Sequence, residues 1–167
     1  MWKWILIVAA LPLGAAAIVA GVGALLPREH VVRGERVLPA PPMEVAAMVR
    51  DVEDHPRWRG SVRAIDVLER REGGLRYVEH SGDGAITFAM AEEVPGARFT
   101  SRIDDQTLPF GGSWTVAIEP AGEGSRIRIE ERGFVGNPIY RFFAALVFGH
   151  ERTMKAYLDD MERELRR

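Results

Sequence analysis

The sequence predicts an α+β fold. One antiparallel sheet of seven strands is closed by a long C-terminal helix, and an N-terminal transmembrane helix precedes both. Three observations lead there. Between Val62 and Phe134 apolar residues recur at every second position, in short segments separated by glycine- and proline-rich turns. From Asn137 onward they recur at helical spacing. No Asp, Glu, Lys or Arg stands between Lys3 and Arg28.

The uncharged run comes first. As a helix, Ile5–Leu26 would extend ~33 Å, enough for a hydrocarbon core of about 30 Å. Trp2 and Trp4 sit where an interfacial aromatic belt belongs. The run exceeds a signal peptide's apolar region, and Pro27 directly follows it, so an uncleaved anchor over residues 1–27 is expected. Lys3 precedes the run and Arg28, Arg33 and Arg36 follow it, which predicts a single-pass protein with its domain in the cytoplasm. Ala10, Gly14, Ala17, Gly21 and Ala24 form a stripe of small residues, a candidate homodimer face.

The remaining residues, 28–167, read as one domain. His30–Leu38 is a strand ended by prolines. "PPMEVAAMVRD" (41–51) reads as a short helix, with Pro42 in its first turn and Val45, Met48 and Val49 on one face. A second short helix follows, with Asp54 as candidate cap and Pro56 just inside. Six strands are then expected at Val62–Arg70, Leu75–Ser81, Ala85–Glu93, Arg98–Asp104, Gly112–Pro120 and Ser125–Phe134. Turn chemistry separates them, including "LPFGG" at 108–112. Asn137 and Pro138 open the last helix, which read through to the end is ~45 Å long, with Gly149 as the point expected to loosen it. A sheet curved around one helix leaves a cavity between them.

Composition removes several function classes. A net charge of −2 gives no basis for nucleic-acid binding. Without cysteine there is no thiol chemistry and no cysteine-ligated metal. "HERTM" (150–154) begins like a zinc-protease motif, but Met154 replaces the second histidine. No motif for a metal or cofactor is found, and none is expected to bind.

The stretches "LPAPPMEVAAMVRDVEDHPRWRGSVRAIDVLE" (38–69) and "FFAALVFGHERTMKAYLDDMERELR" (142–166), in this element order, resemble the START-like (SRPBCC) superfamily and its polyketide cyclase/dehydrase and lipid-transport branch. The resemblance implies a helix-grip fold over residues 30–167. It also implies that "DVEDHPRWRG" (51–60) is a structural corner: Trp58 plugs the core edge, Pro56 fixes the turn, Asp51 or Asp54 caps, and the charged neighbours mostly form a solvated rim. The superfamily includes carriers, receptors, cyclases and regulators, so function has to come from the site.

Strand alternation places Tyr77, Glu79, Phe88, Met90, Phe99, Ser101, Trp114, Val116 and Glu131 on the inner face. Phe143, Val147 and His150 join them from the helix. The lining is apolar and aromatic with few polar points, as small-molecule sites are. A membrane-anchored module that binds a hydrophobic molecule (lipid, isoprenoid, quinone or aromatic) is expected. The apolar run Ile139–Phe148 and Phe110 are candidates for a membrane-facing mouth. The alternatives are a cyclase- or aromatase-like enzyme using Glu131, Glu79, Tyr77 or His150 as acid or base, and a regulatory or structural partner without a ligand. A buried carboxylate needs a partner, so Glu79 and Glu131 are expected in ion pairs, at the rim, or facing a ligand.

Overall fold

The computed structural model describes residues 14, 16–82, 84–148 and 151–167, without the side chains of residues 147 and 148. Seven antiparallel strands form one sheet: β1 (Glu29–Leu38), β2 (Val62–Arg71), β3 (Gly74–Ser81), β4 (Gly84–Val94), β5 (Arg98–Ile103), β6 (Phe110–Ala121) and β7 (Gly124–Val135), in spatial order β1-β7-β6-β5-β4-β3-β2. Six of them are a simple meander, because each connecting turn is short enough only for antiparallel neighbours. β1 instead pairs with β7, and the chain crosses to the far edge through α1 (Pro42–Arg50), a 3₁₀ turn (Val52–Asp54) and α2 (His55–Trp58). Register irregularities in β2 and beside Glu92 are bulges, which bend a sheet.

"LPFGG" differs from the expected turn. Phe110, Gly111 and Gly112 already belong to β6, paired with Val135, Phe134 and Gly133. The strand therefore starts two residues earlier than its alternation indicates, because glycines carry no side chain to show which face they occupy.

The C-terminal helix also differs. Among the described residues it comprises α3 (Pro138–Phe143), a π-helical stretch that follows it directly (Ala144–Phe148) and α4 (Glu151–Leu165). Asn137 caps α3 as its sequence suggests, its side-chain oxygen accepting from the Ile139 and Tyr140 amides at 2.9 and 3.3 Å. The register change arises inside "AALVF", where no proline or polar residue announces it.

α4 covers only part of the inner face. Met154, Tyr157, Leu158 and Met161 are buried against Val116, Ile118, Ile127 and Ile129. Gly34 on β1 allows the close approach, since a Cβ there would lie 2.7 Å from the Met154 sulfur. Among the described residues α4 packs mainly on the β1 side, and the space left beside β3, β4 and β5 becomes the cavity.

The corner differs from expectation in its caps. Neither Asp51 nor Asp54 makes a side-chain cap hydrogen bond. The Asp54 carboxylate is held by Arg57 instead, at 2.7 Å. Among the charged neighbours of Trp58, Glu53, Asp54 and Arg57 are on the exposed rim, whereas His55 is buried with it and Arg59 points inward.

Residues 16–25 are helical. Among the described residues no helix is long and apolar enough to cross a membrane. The anchor expected over residues 5–26 begins outside the described residues, as does Ala10 of the small-residue stripe. Gly14 and Gly21 of that stripe have open space beside them, and Ala17 and Ala24 are exposed.

Candidate functional site

Strand alternation builds the inner wall. Opposed residues share a face, so the register links Leu75, Met90, Ser101, Trp114 and Glu131 into one row across β3, β4, β5, β6 and β7. Tyr77, Phe88 and Ile103 form the neighbouring row, and the Tyr77 and Phe88 rings stack at 5.6 Å. With α1, α2, α3 and α4 this wall encloses a cavity of about 510 Å³.

Tyr77, Glu79, Phe88, Met90, Phe99, Ser101, Trp114, Val116, Glu131 and Phe143 all line it. His150 and the side chain of Val147 fall outside the described residues. Phe110 is in the wall as well.

The closed end is an aromatic and ionic floor that the sequence did not reveal. The Tyr157 ring meets Trp58 at 5.4 Å and Trp114 at 5.7 Å, edge to face. The Arg59 guanidinium lies over the same ring, 5.3 Å from its centre, and donates to both Glu79 carboxylate oxygens at 2.6 and 3.2 Å. His55 is held between the Met48 carbonyl, 3.2 Å from Nε2, and Arg59, 3.3 Å from Nδ1. That arrangement suits the neutral imidazole with its proton on Nε2. Burial, and then the Arg59 charge, push the His55 pKa down to about 3. Burial pushes Tyr77 up to about 12 and Tyr157 upward too. The Ser101 hydroxyl lies near enough to Tyr77 to oppose that shift slightly, although it makes no hydrogen bond of good geometry.

A second polar point sits on β7. Glu131 accepts from Trp114 Nε1 at 2.7 Å, and its other oxygen lies 3.1 Å from His30 Nε2. Gly133, opposite His30, makes room: a Cβ there would come within 2.6 Å of the imidazole. Both inward carboxylates thus have partners, Glu79 in an ion pair and Glu131 in a hydrogen-bonded bridge. Pattern reading missed His30, His55, Arg59 and Tyr157. For His30 a signal existed in the glycines at 112 and 133, which suggest close approach by something else.

The open end is apolar and exposed. Phe134, Tyr140 and Phe143 line the cavity and also face outward. Phe134 lies on the outward parity of β7, yet its ring covers Gly111, where a Cβ would stand 2.7 Å from it.

No curated protein matches the chain. Among solved structures it is similar to a START superfamily protein from Mycobacterium smegmatis, with TM-score 0.64, 15% identity, and 82% of this chain and 97% of that one covered. A protein of Thermus thermophilus gives TM-score 0.67 and 21% identity, covering 81% and 97%. Truncated norcoclaurine synthase from Thalictrum flavum gives 0.65 and 11%, covering 82% and 93%. At these identities the likeness speaks for the fold alone, the helix grip around a cavity. The model of the family described as polyketide cyclase / dehydrase and lipid transport matches residues 29–166, and the chain belongs to that family.

Proposed function

We propose that this protein is a membrane-tethered binding module that holds one hydrophobic small molecule (a lipid, isoprenoid, quinone or aromatic compound) between sheet and C-terminal helices. The carrying observation is the cavity itself. Its volume of about 510 Å³ falls within the range of small-molecule sites, roughly 300–1,000 Å³, and its walls are aliphatic and aromatic. Apolar surface leaving water would drive binding, at about 25 cal/mol per Å². The side chains named above as ligand-binding candidates would form the contact surface, with Ser101 and Glu131 as polar points that orient the guest. The family description includes lipid transport, which agrees with this reading. The uncharged amino-terminal run would keep the domain at the bilayer, on its cytoplasmic side.

An acid–base reading of the same cavity has less support. Glu79 is paired with Arg59, and burial pushes the Tyr77 pKa up to about 12, so the Tyr77 phenol keeps its proton near neutrality.

Titration with N-phenyl-1-naphthylamine, a neutral probe that brightens in apolar surroundings, tests the reading. Saturable enhancement is expected for the native chain, with at least tenfold weaker binding for Ser101→Trp, whose indole would fill the middle of the cavity. A native chain with no saturable signal, or a Ser101→Trp variant that is folded and binds equally well, would overturn it.

A further inference from the structure

Arg141 is buried to 5% exposure, yet among the described residues its guanidinium donates only to backbone carbonyls. Nε and Nη2 donate to Val135 and Gly136 at 3.1 and 3.0 Å, at the end of β7. Nη1 donates to Gly23 and Leu26 at 3.1 and 3.0 Å, in the last turn of the amino-terminal helical segment and just past it. Carbonyls at a helix C-terminus have no partner within the helix and carry its negative dipole end, so a cation is well placed there. The contact extends to the backbone itself. A Cβ on Gly23 would lie 1.9 Å from the Pro138 carbonyl oxygen, so a larger residue would force the segment off α3. The apolar segment is therefore seated against α3, at the cavity mouth.

Two apolar surfaces are joined by this seat. On the helical segment Ile18 and Leu25 are 67% and 89% exposed. On α3 and the π-helical stretch Tyr140 and Leu146 are 57% and 58% exposed, with Ile139 and Phe143 beside them. The sequence has no Asp, Glu, Lys or Arg from Phe142 to His150, and none between Lys3 and Arg28. Exposed apolar residues on both sides of one packed contact mark an interaction surface.

We infer that this surface is covered by a lipid bilayer. Ile139, Tyr140, Phe143 and Leu146 enter the interface of the membrane into which the amino-terminal run passes, so the cavity opens towards lipid. Arg141 is the positioning residue that fixes this pose. The inference rests on the proposed tether and adds the orientation of the domain. Lipid fits better than a second copy or a peptide. The surface continues directly into the uncharged run that precedes it in sequence, and Tyr140 is the residue type that interfaces favour.

The cysteine-free chain allows single-site labelling. Tyr140→Cys, Leu146→Cys and Glu123→Cys, each carrying bimane, are placed as full-length protein in phosphatidylcholine/phosphatidylglycerol vesicles containing doxyl lipids. Glu123 sits in the β6–β7 turn, roughly 35 Å along the strands from the mouth. Quenching of at least twofold is expected at positions 140 and 146, and none at 123. Chain that floats with the vesicles while 140 and 146 resemble 123 would overturn the docking and leave the tether standing. Chain that does not float would overturn the tether and the docking together, while probe titration judges the cavity separately. For Arg141→Gln, we expect continued flotation, unchanged probe binding in detergent, and quenching at 140 cut at least by half. An unchanged quenching pattern would remove Arg141 from its positioning role. If that variant does not fold, the native-background labels still decide the docking.

Discussion

The floor and the mouth of the cavity use similar aromatic residues to opposite effect. At the floor Trp58, Tyr77 and Tyr157 are buried, and an ion pair and a neutral histidine are locked among them. At the mouth Phe134, Tyr140 and Phe143 stay exposed, and the nearby cation Arg141 binds backbone rather than carboxylate. The floor therefore carries stability and shape, while the mouth is free to serve access. Substitutions at the floor should unfold the domain, and substitutions at the mouth should leave it folded with altered exchange.

The heaviest loss is expected in the Arg59–Glu79 pair. Arg59→Met strands a largely buried carboxylate and should cost about 3–5 kcal/mol in urea unfolding. Adding Glu79→Leu should recover most of that loss, because the removal of both charges leaves none to desolvate. A double variant as unstable as the single one would contradict this view of the floor.

Next comes acid sensitivity. His55 binds a proton in the unfolded chain below about pH 6.5 but resists doing so when folded until about pH 3. The unfolded state therefore holds more protons between these values, so stability is full above about pH 6.5 and declines as pH falls. Between pH 6.5 and 4 the loss from this group is on the order of 3 kcal/mol. Arg59 adds to the shift and Asp54 partly offsets it. Denaturation of the native chain and His55→Gln across this range isolates the contribution: the variant should show a shallower decline, and parallel curves would refute it.

A weaker response is expected at Glu131. Glu131→Leu leaves the Trp114 Nε1–H without its acceptor and should cost about 1–2 kcal/mol. The mouth should respond least. Tyr140→Ser should change stability by less than about 0.5 kcal/mol. Its effect belongs in the rate at which probe leaves vesicle-bound protein, read by stopped-flow fluorescence. A large stability loss there would erase the contrast between the two ends.

Much of this architecture was legible because strand alternation is strict. Once Ile127 and Ile129 are placed inward, Glu131 follows, and the register carries the same assignment across Trp114, Ser101 and Met90. The floor was not legible in the same way. In "HPRWR" a buried histidine and an inward arginine look like their solvated neighbours, because what buries them is Glu79 and Tyr157, far along the chain. The π-helical register from Ala144 was hidden for a related reason. "FFAALVF" is apolar all round, and such a segment does not reveal which register its neighbours impose. Arg141 illustrates the same limit, since a lone arginine in an apolar run gives no hint that its partners are the carbonyls of Gly23 and Leu26.

Whether the cavity holds a guest is decided by native mass spectrometry of the chain in mild detergent. One apolar molecule bound per chain is expected, and none on folded Ser101→Trp. A native chain at its bare mass, or the same adduct on both proteins, would contradict the binding role.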